Sequence, residues 1–172
     1  RQANELLDEC KEELRKERIP FDEKIRTGMM METPAAVLLA EEFANMVDFF
    51  SIGTNDLTQY MLAVDRGNTK ISALYDSFHP AVIRAIATII SAGHKAGIPV
   101  GMCGEFAGDE RAIRLLLGLG LDEFSVNSGS VALVKHLIRN STLTKCQTLA
   151  QKVQKETTAE AIRDCVEAEE WK

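Results

Sequence analysis

The 172-residue chain has no apolar run approaching the roughly 20 residues that a membrane-spanning helix requires, and it does not open on the basic-then-apolar pattern of a secretory signal. No membrane partner is expected from such a sequence. Long basic blocks are also missing, and a formal net charge of −6 leaves no electrostatic footprint for nucleic acid. An anionic ligand must therefore be held by a local cation or a metal. Cysteine is scarce. Cys10, Cys103, Cys146 and Cys165 form no CxxC pair and have no histidine at zinc-finger spacing, which argues against a disulfide framework and points to a reduced, cytoplasmic chain. Tight-hairpin signals are absent too, so an antiparallel β fold is not indicated.

Short apolar runs alternate with amphipathic stretches. Leu6, Leu7, Cys10 and Leu14 recur at helical spacing among charges and predict a surface helix from Asn4 to Glu17, stopped near Pro20. IRTGMMME reads as a buried strand ending at Glu32. Thr33 and Pro34 then supply an N-cap and first helical residue for PAAVLLAEEFANM. VDFFSI is a second strand, followed by a short helix and by the long helix HPAVIRAIATIISAGHKAG with its glycine C-cap signal. IPVGMC and the helix DERAIRLLLGLG come next. EFSVN is the fourth strand, and SGSVALVKHLIRN leads into a polar helical tail that runs to the C-terminus. A strand followed by a helix, four times over, is a parallel α/β sheet. An open doubly wound domain suits four strands poorly because both edges stay bare. A TIM-type (β/α)8 barrel takes about 250 residues, and four βα units would be its second half, so residues 1–172 are expected to be part of a longer chain.

Chemistry-bearing residues collect where α/β folds place ligands, at the C-terminal ends of strands. FFSIGTNDLTQY sets Thr54, Asn55 and Asp56 together at the end of a buried strand, the first strand delivers Glu32, and the third delivers Cys103 and Glu105. Two carboxylates, Glu32 and Asp56, at neighbouring strand ends suit a hard cation such as Mg²⁺, which takes a few carboxylates and completes its shell with water and substrate oxygens. Arg66 offers a planar fork suited to phosphate. Taken singly, each has a structural explanation: Glu32 beside a helix N-terminus, Asn55 or Asp56 as an N-cap, Cys103 as a small buried hydrophobe, Arg66 in a surface ion pair. Their coincidence at successive strand ends favours a site. His79, His94 and His136 read as structural, Cys10, Cys146 and Cys165 as packing residues on helices, and Met29 to Met31 as core, with Met30 or Met31 a candidate to line the site.

The segments MMMETPAAVLLAEEFANMVDFFSIGTNDLTQYMLAVDRGN and HPAVIRAIATIISAGHKAGIPVGMCGEFAGDERAIRLLLGLGLDEFSVN resemble the C-terminal, phosphoenolpyruvate-binding domain of enzyme I, the phosphoenolpyruvate–protein phosphotransferases of the bacterial sugar phosphotransferase system. The likeness covers nearly the whole chain. It implies a (β/α)8 barrel of which only the second half is present, and a homodimer formed through this domain. It implies that Glu32 and Asp56 bind Mg²⁺, that Asn55 and Arg66 contact the substrate's carboxylate or phosphate, and that Cys103 protonates the enolate. Thr33 departs from the family's usual isoleucine or valine and leaves the metal ligand in place.

By that resemblance the phosphoryl group of phosphoenolpyruvate (PEP) passes to a histidine and pyruvate leaves, the first step of sugar uptake. The phosphohistidine belongs to an N-terminal domain of the family, which hands the group on to the phosphocarrier protein HPr. None of His79, His94 or His136 stands in a matching context, so little turnover is expected of this chain alone. Two further readings stand beside this one: the related barrel of pyruvate phosphate dikinase or phosphoenolpyruvate synthase, from which the AVDRGN continuation argues away, and a non-catalytic half-barrel that self-associates through its unpaired edges.

Overall fold

A computed structural model describes residues 1–168; the end of the expected helical tail, residues 169–172, lies outside the described residues. Helix α1 (Gln2–Glu17) leads into strand β1 (Gly28–Met31), the short helices α2 (Pro34–Leu38) and α3 (Ala40–Ala44), and β2 (Phe49–Gly53). Helix α4 (Thr54–Leu62) follows without a break. A loop with one 3₁₀ turn leads to α5 (Pro80–Ala96), then come β3 (Val100–Cys103), a 3₁₀ turn (Glu105–Gly108), α6 (Glu110–Leu119) and β4 (Glu123–Phe124). Helices α7 (Val131–Arg139), α8 (Leu143–Val153) and α9 (Ala159–Glu167) close the described chain.

The sheet is parallel throughout, in the order β1-β2-β3-β4. Each strand neighbours the next in sequence, which is the winding the α/β reading expected, with no reversal of strand order. Register sorts the side chains by face, because successive residues of a strand point to opposite sides. Met31, Ile52 and Met102 are cross-strand partners, as are Phe50 and Val100, and all five are fully buried beneath the helices. The alternate rows hold Met30, Ser51, Gly101 and Glu123, then Gly53 and Cys103. Met30 is 44% exposed on that second face. The methionine run is thus split: Met31 is core, and Met30 is on the open face. Parallel sheets are ordinarily covered on both sides, whereas Met30 and Glu123 on this second face are exposed.

Several boundaries move. The first strand begins at Gly28 rather than Ile25, and the fourth has two residues where five were expected, pairing with β3 at Glu123 and Phe124 alone. PAAVLLAEEFANM breaks at Leu39 (φ −105°, ψ 20°) into α2 and α3, and no glycine or proline marks the break. The polar tail is more than polar: Cys146, Leu149, Ala150, Val153, Ile162, Cys165 and Val166 are buried, fastening α8 and α9 onto α6.

Of the expected packing cysteines, Cys146 and Cys165 are buried but Cys10 is exposed, since α1 buries no residue. Burial pushes the Cys146 and Cys165 thiols up from their ordinary values. Thiol labelling in native buffer followed by mass spectrometry should modify Cys10 first and the half-buried Cys103 next, with Cys146 and Cys165 reacting only on unfolding.

Asp109 caps α6 by accepting from the Arg111 amide at 3.0 Å and pairs with the Arg111 guanidinium at 2.7 Å. Burial pushes its carboxyl up, but the Arg111 side-chain and backbone hydrogen bonds outweigh that and leave it below the ordinary aspartate value of 3.8. A depressed folded value means stability that is present above pH 3.8 and lost as pH falls through the folded value. Asp109→Asn should therefore lower stability at neutral pH and flatten its decline in acid, as read by urea titrations at about pH 7 and about pH 3.

Candidate functional site

Three polar residues at the mouth of β2 are more than a helix cap requires, and none of them is the cap. The N-cap of α4 is Gly53, with no side-chain cap bond, and Thr54, Asn55 and Asp56 form the first turn. Each side chain is turned to a different partner. The fully buried Thr54 donates its hydroxyl to the Cys103 carbonyl at 3.2 Å, tying β2 to β3. Asn55 accepts the Glu105 amide on Oδ1 at 3.2 Å, and its own carbonyl accepts the Tyr75 hydroxyl at 3.1 Å. Asp56 lies 3.9 Å from the Arg66 guanidinium, a loose pair in which both side chains are exposed. Such a pair is worth well under about 1 kcal/mol, which leaves both groups open to another partner.

Glu32 is not a cap either. That role belongs to Thr33, whose hydroxyl accepts the Ala36 amide at 3.2 Å. The Glu32 side chain instead lies across the end of β2: a Cβ built on Gly53 would stand 2.3 Å from Glu32 Oε1. Glycine at position 53 is what lets a carboxylate pass over that strand. Glu32 is half-buried, yet among the described residues its carboxylate accepts no hydrogen bond and forms no ion pair. A partly desolvated carboxylate without a protein partner costs free energy that a ligand can return.

Cys103 stands at the end of β3, opposite Gly53, and its sulfur accepts the Ser51 hydroxyl at 3.5 Å. Among the described residues its own proton is committed to no acceptor. Gly104 follows with φ 105°, where a side chain is strained, and a Cβ there would come within 2.5 Å of Thr54 Oγ1 and 3.1 Å of Asn55 Oδ1. The chain therefore turns between Cys103 and Glu105 against the first turn of α4. Asn55, Gly104, Glu105, Ser125 and Asn127 line a cleft of about 240 Å³ at these strand ends. Roomier grooves of about 490 and 770 Å³ run instead along Ala87, Ser91 and Lys95 of α5, away from the polar cluster.

The structure thus sets Glu32, Asn55, Asp56 and Cys103 at the C-terminal ends of adjacent strands, with Arg66 beside Asp56. Glu105 is exposed and takes part through its backbone amide, not through a contact of its carboxylate with Cys103. Sequence reasoning missed Ser51 and Tyr75. Ser51 shares the alternate face with Cys103 by strand parity, a signal readable once the register of β2 on β3 is known. Tyr75 lies in an irregular loop with no periodic signal. The three histidines are engaged elsewhere: His79 caps α5, His94 meets Asp122 at 2.9 Å, and His136 faces Asn140.

Among the described residues no three His, Cys, Asp or Glu side chains converge as a metal cage. A closed structural site is therefore not built here. The donors that are present, two oxygen acids without firm partners, fit Mg²⁺, which binds through one or two carboxylates and keeps waters and substrate oxygens in the rest of its shell. No helix among the described residues is long and apolar enough to cross a membrane.

Comparison with known proteins agrees with the resemblance seen in the sequence. Residues 1–143 match the family described as PEP-utilising enzyme, PEP-binding domain. The chain is similar to the phosphoenolpyruvate-protein phosphotransferase of Buchnera aphidicola subsp. Schizaphis graminum, 53% identical over 88% of this chain and 27% of that protein. It is 50% identical to the Haemophilus influenzae protein of the same name and 44% identical to that of Listeria monocytogenes, in each case over 97% of this chain and 29% of the relative. The chain thus spans between a quarter and a third of the length of these relatives.

Proposed function

The chain belongs to the PEP-binding domain family of PEP-utilising enzymes, and from that premise we propose that it forms the PEP- and Mg²⁺-binding half of a phosphoenolpyruvate–protein phosphotransferase site. The observation that carries the reading is Glu32, a half-buried carboxylate without a hydrogen-bond or ion-pair partner among the described residues, held over Gly53 at the end of β2, three residues before Asp56 in the chain. Glu32 and Asp56 are the residues that would hold the metal. When bound, Mg²⁺ supplies electrostatic stabilisation of the negative charge that develops on the departing pyruvate oxygen.

The chain's own groups account for the rest. Asn55 spends its carbonyl oxygen on the Glu105 amide, so its NH₂ remains to donate to the substrate's carboxylate or phosphate. Arg66, held only loosely by Asp56, supplies a fork for the same anion. The phosphorus–oxygen bond of PEP breaks as a bond forms to a histidine nitrogen, a transfer that relies on positioning and charge stabilisation more than on covalent help. Cys103 then gives its proton to the methylene carbon of the enolate, leaving pyruvate and a thiolate that recovers a proton from solvent. Ser51, donating to the sulfur, fixes its place.

The accepting histidine is carried by a further domain, with HPr beyond it, in a cytoplasmic assembly completed by the first half of a barrel and paired as a homodimer. The bare face around Met30 and the two unpaired edges of the sheet support such completion. The names of the relatives favour this reading over the dikinase-type barrel. Calorimetric titration of PEP into the chain, with Mg²⁺ and again with excess chelator, tests it. Binding that requires the metal, and that slows labelling of Cys103, is the expected result. Absence of binding in both conditions overturns a half-site that works alone.

A further inference from the structure

We propose that Arg163, on the C-terminal helix α9, is a positioning residue for the anion-binding end of the site, acting through Asp76, Tyr75 and Asn55; its effect on ligand affinity rests on the reading above. Helix α9 lies beyond the residues matched by the family, 1–143, and α8 begins at the last of them.

The loop from Tyr75 to Phe78 is where four parts of the chain meet. The Arg163 guanidinium stands 2.6 Å from Asp76 Oδ1, with the two side chains only 35% and 22% exposed. The same oxygen accepts the Phe78 amide at 2.9 Å, so Asp76 both folds the loop on itself and ties it to α9. Arg163 also lies over the Phe78 ring, 5.3 Å from its centroid, and Arg111 approaches that ring at 5.1 Å. Phe78 packs edge-on against Phe106 at 5.0 Å and 79°, and Phe106 directly follows Glu105. From the other end of the loop, the Tyr75 hydroxyl donates to the Asn55 carbonyl, and Ser77 meets the buried Thr58 of α4 at 3.1 Å. Glu105 then donates its amide to Asn55 Oδ1.

These contacts close a ring: Arg163, Asp76, Tyr75, Asn55, Glu105, Phe106, Phe78 and back to Arg163. Two independent routes therefore run from α9 to Asn55, one by hydrogen bonds to its carbonyl and one through Phe78 and Phe106 to the amide that holds its side chain. Loops left without such ties sample many conformations, and holding one of them ready lowers the ordering cost of ligand binding. The guanidinium is suited to the task because it serves an ion pair and a ring face at once.

The test uses Arg163→Met, which keeps a stem of similar reach over Phe78 and removes the ion pair, with Tyr75→Phe as a variant that removes only the bond to Asn55. Hydrogen–deuterium exchange should speed about tenfold at the Glu105 amide and at residues 75–78 in Arg163→Met, with the amides of central α5 unchanged. The Kd for PEP with Mg²⁺ should rise by roughly five- to tenfold in both variants, and Arg163→Lys, which keeps the charge toward Asp76, should exchange more slowly at the loop than Arg163→Met. Unchanged exchange at Glu105 in a folded Arg163→Met variant overturns the proposal, and so does a uniform acceleration that includes α5, which would make Arg163 merely a contributor to global stability. Failure of the unmodified chain to bind PEP would count against the site reading alone, because the exchange experiment still decides whether Arg163 orders Asn55 and Glu105.

Discussion

Gly118→Ala should destabilise the chain by about 3 kcal/mol, near the upper end of what overpacking a filled interface costs. Helix propensity alone says the opposite, since alanine in a helix interior is favoured over glycine by roughly 0.5–1 kcal/mol. Geometry decides between them. A Cβ on Gly118 of α6 would stand 1.9 Å from the Cys146 carbonyl oxygen of α8 and 3.0 Å from the Ala150 Cβ. The obstacle is backbone, which cannot rotate aside, so α8 must move off α6 as a body. Leu149, Ala150 and Val153 lose their burial against the core when it does. Urea unfolding of the variant measures the loss through its midpoint. A variant as stable as the parent would mean that the two helices slide apart without cost. Because α9 follows α8, the same substitution should also loosen the tie from Arg163 to the Tyr75–Phe78 loop.

The four βα units were legible in the sequence because their signals are local. Thr33 with Pro34 starts α2, His79 with Pro80 starts α5, and Gly97 and Gly120 end α5 and α6 in left-handed conformations, each as residue type and φ preference suggest. Glu32, Asn55, Asp56 and Cys103 were legible as candidates for the same reason: the strand ends could be counted. What escaped was non-local. The shortness of β4 reflects how few of its residues pair with β3, which no propensity reports. Cys10 lies on an amphipathic helix, and the pattern alone gave no sign that α1 buries nothing here. The tail looked polar because its apolar residues, from Cys146 to Val166, are spread over two helices that each bury a narrow stripe. Ser51 and Tyr75 act through partners 52 and 20 residues away in the chain, a relation that only the folded topology creates.

The Glu32→Gln variant should separate binding from stability more cleanly than any other change at the site. Most substitutions of a half-buried charge remove a partner along with it, and the stability loss then obscures the functional one. Glu32 has no hydrogen-bond or ion-pair partner among the described residues, and the amide keeps its length over Gly53. Its thermal midpoint without metal should therefore match that of the parent or exceed it. Affinity for PEP in the presence of Mg²⁺ should fall on the order of 100-fold, which at 1.4 kcal/mol per tenfold is about 2.8 kcal/mol. Asp56→Asn should lose a similar factor, and because its pair with Arg66 is loose at 3.9 Å the stability change should stay below about 1 kcal/mol. Titrations of both variants with and without chelator read these terms apart. If Glu32→Gln bound PEP as tightly as the parent with Mg²⁺, Glu32 would not be a metal ligand, and the half-buried carboxylate over Gly53 would need another explanation.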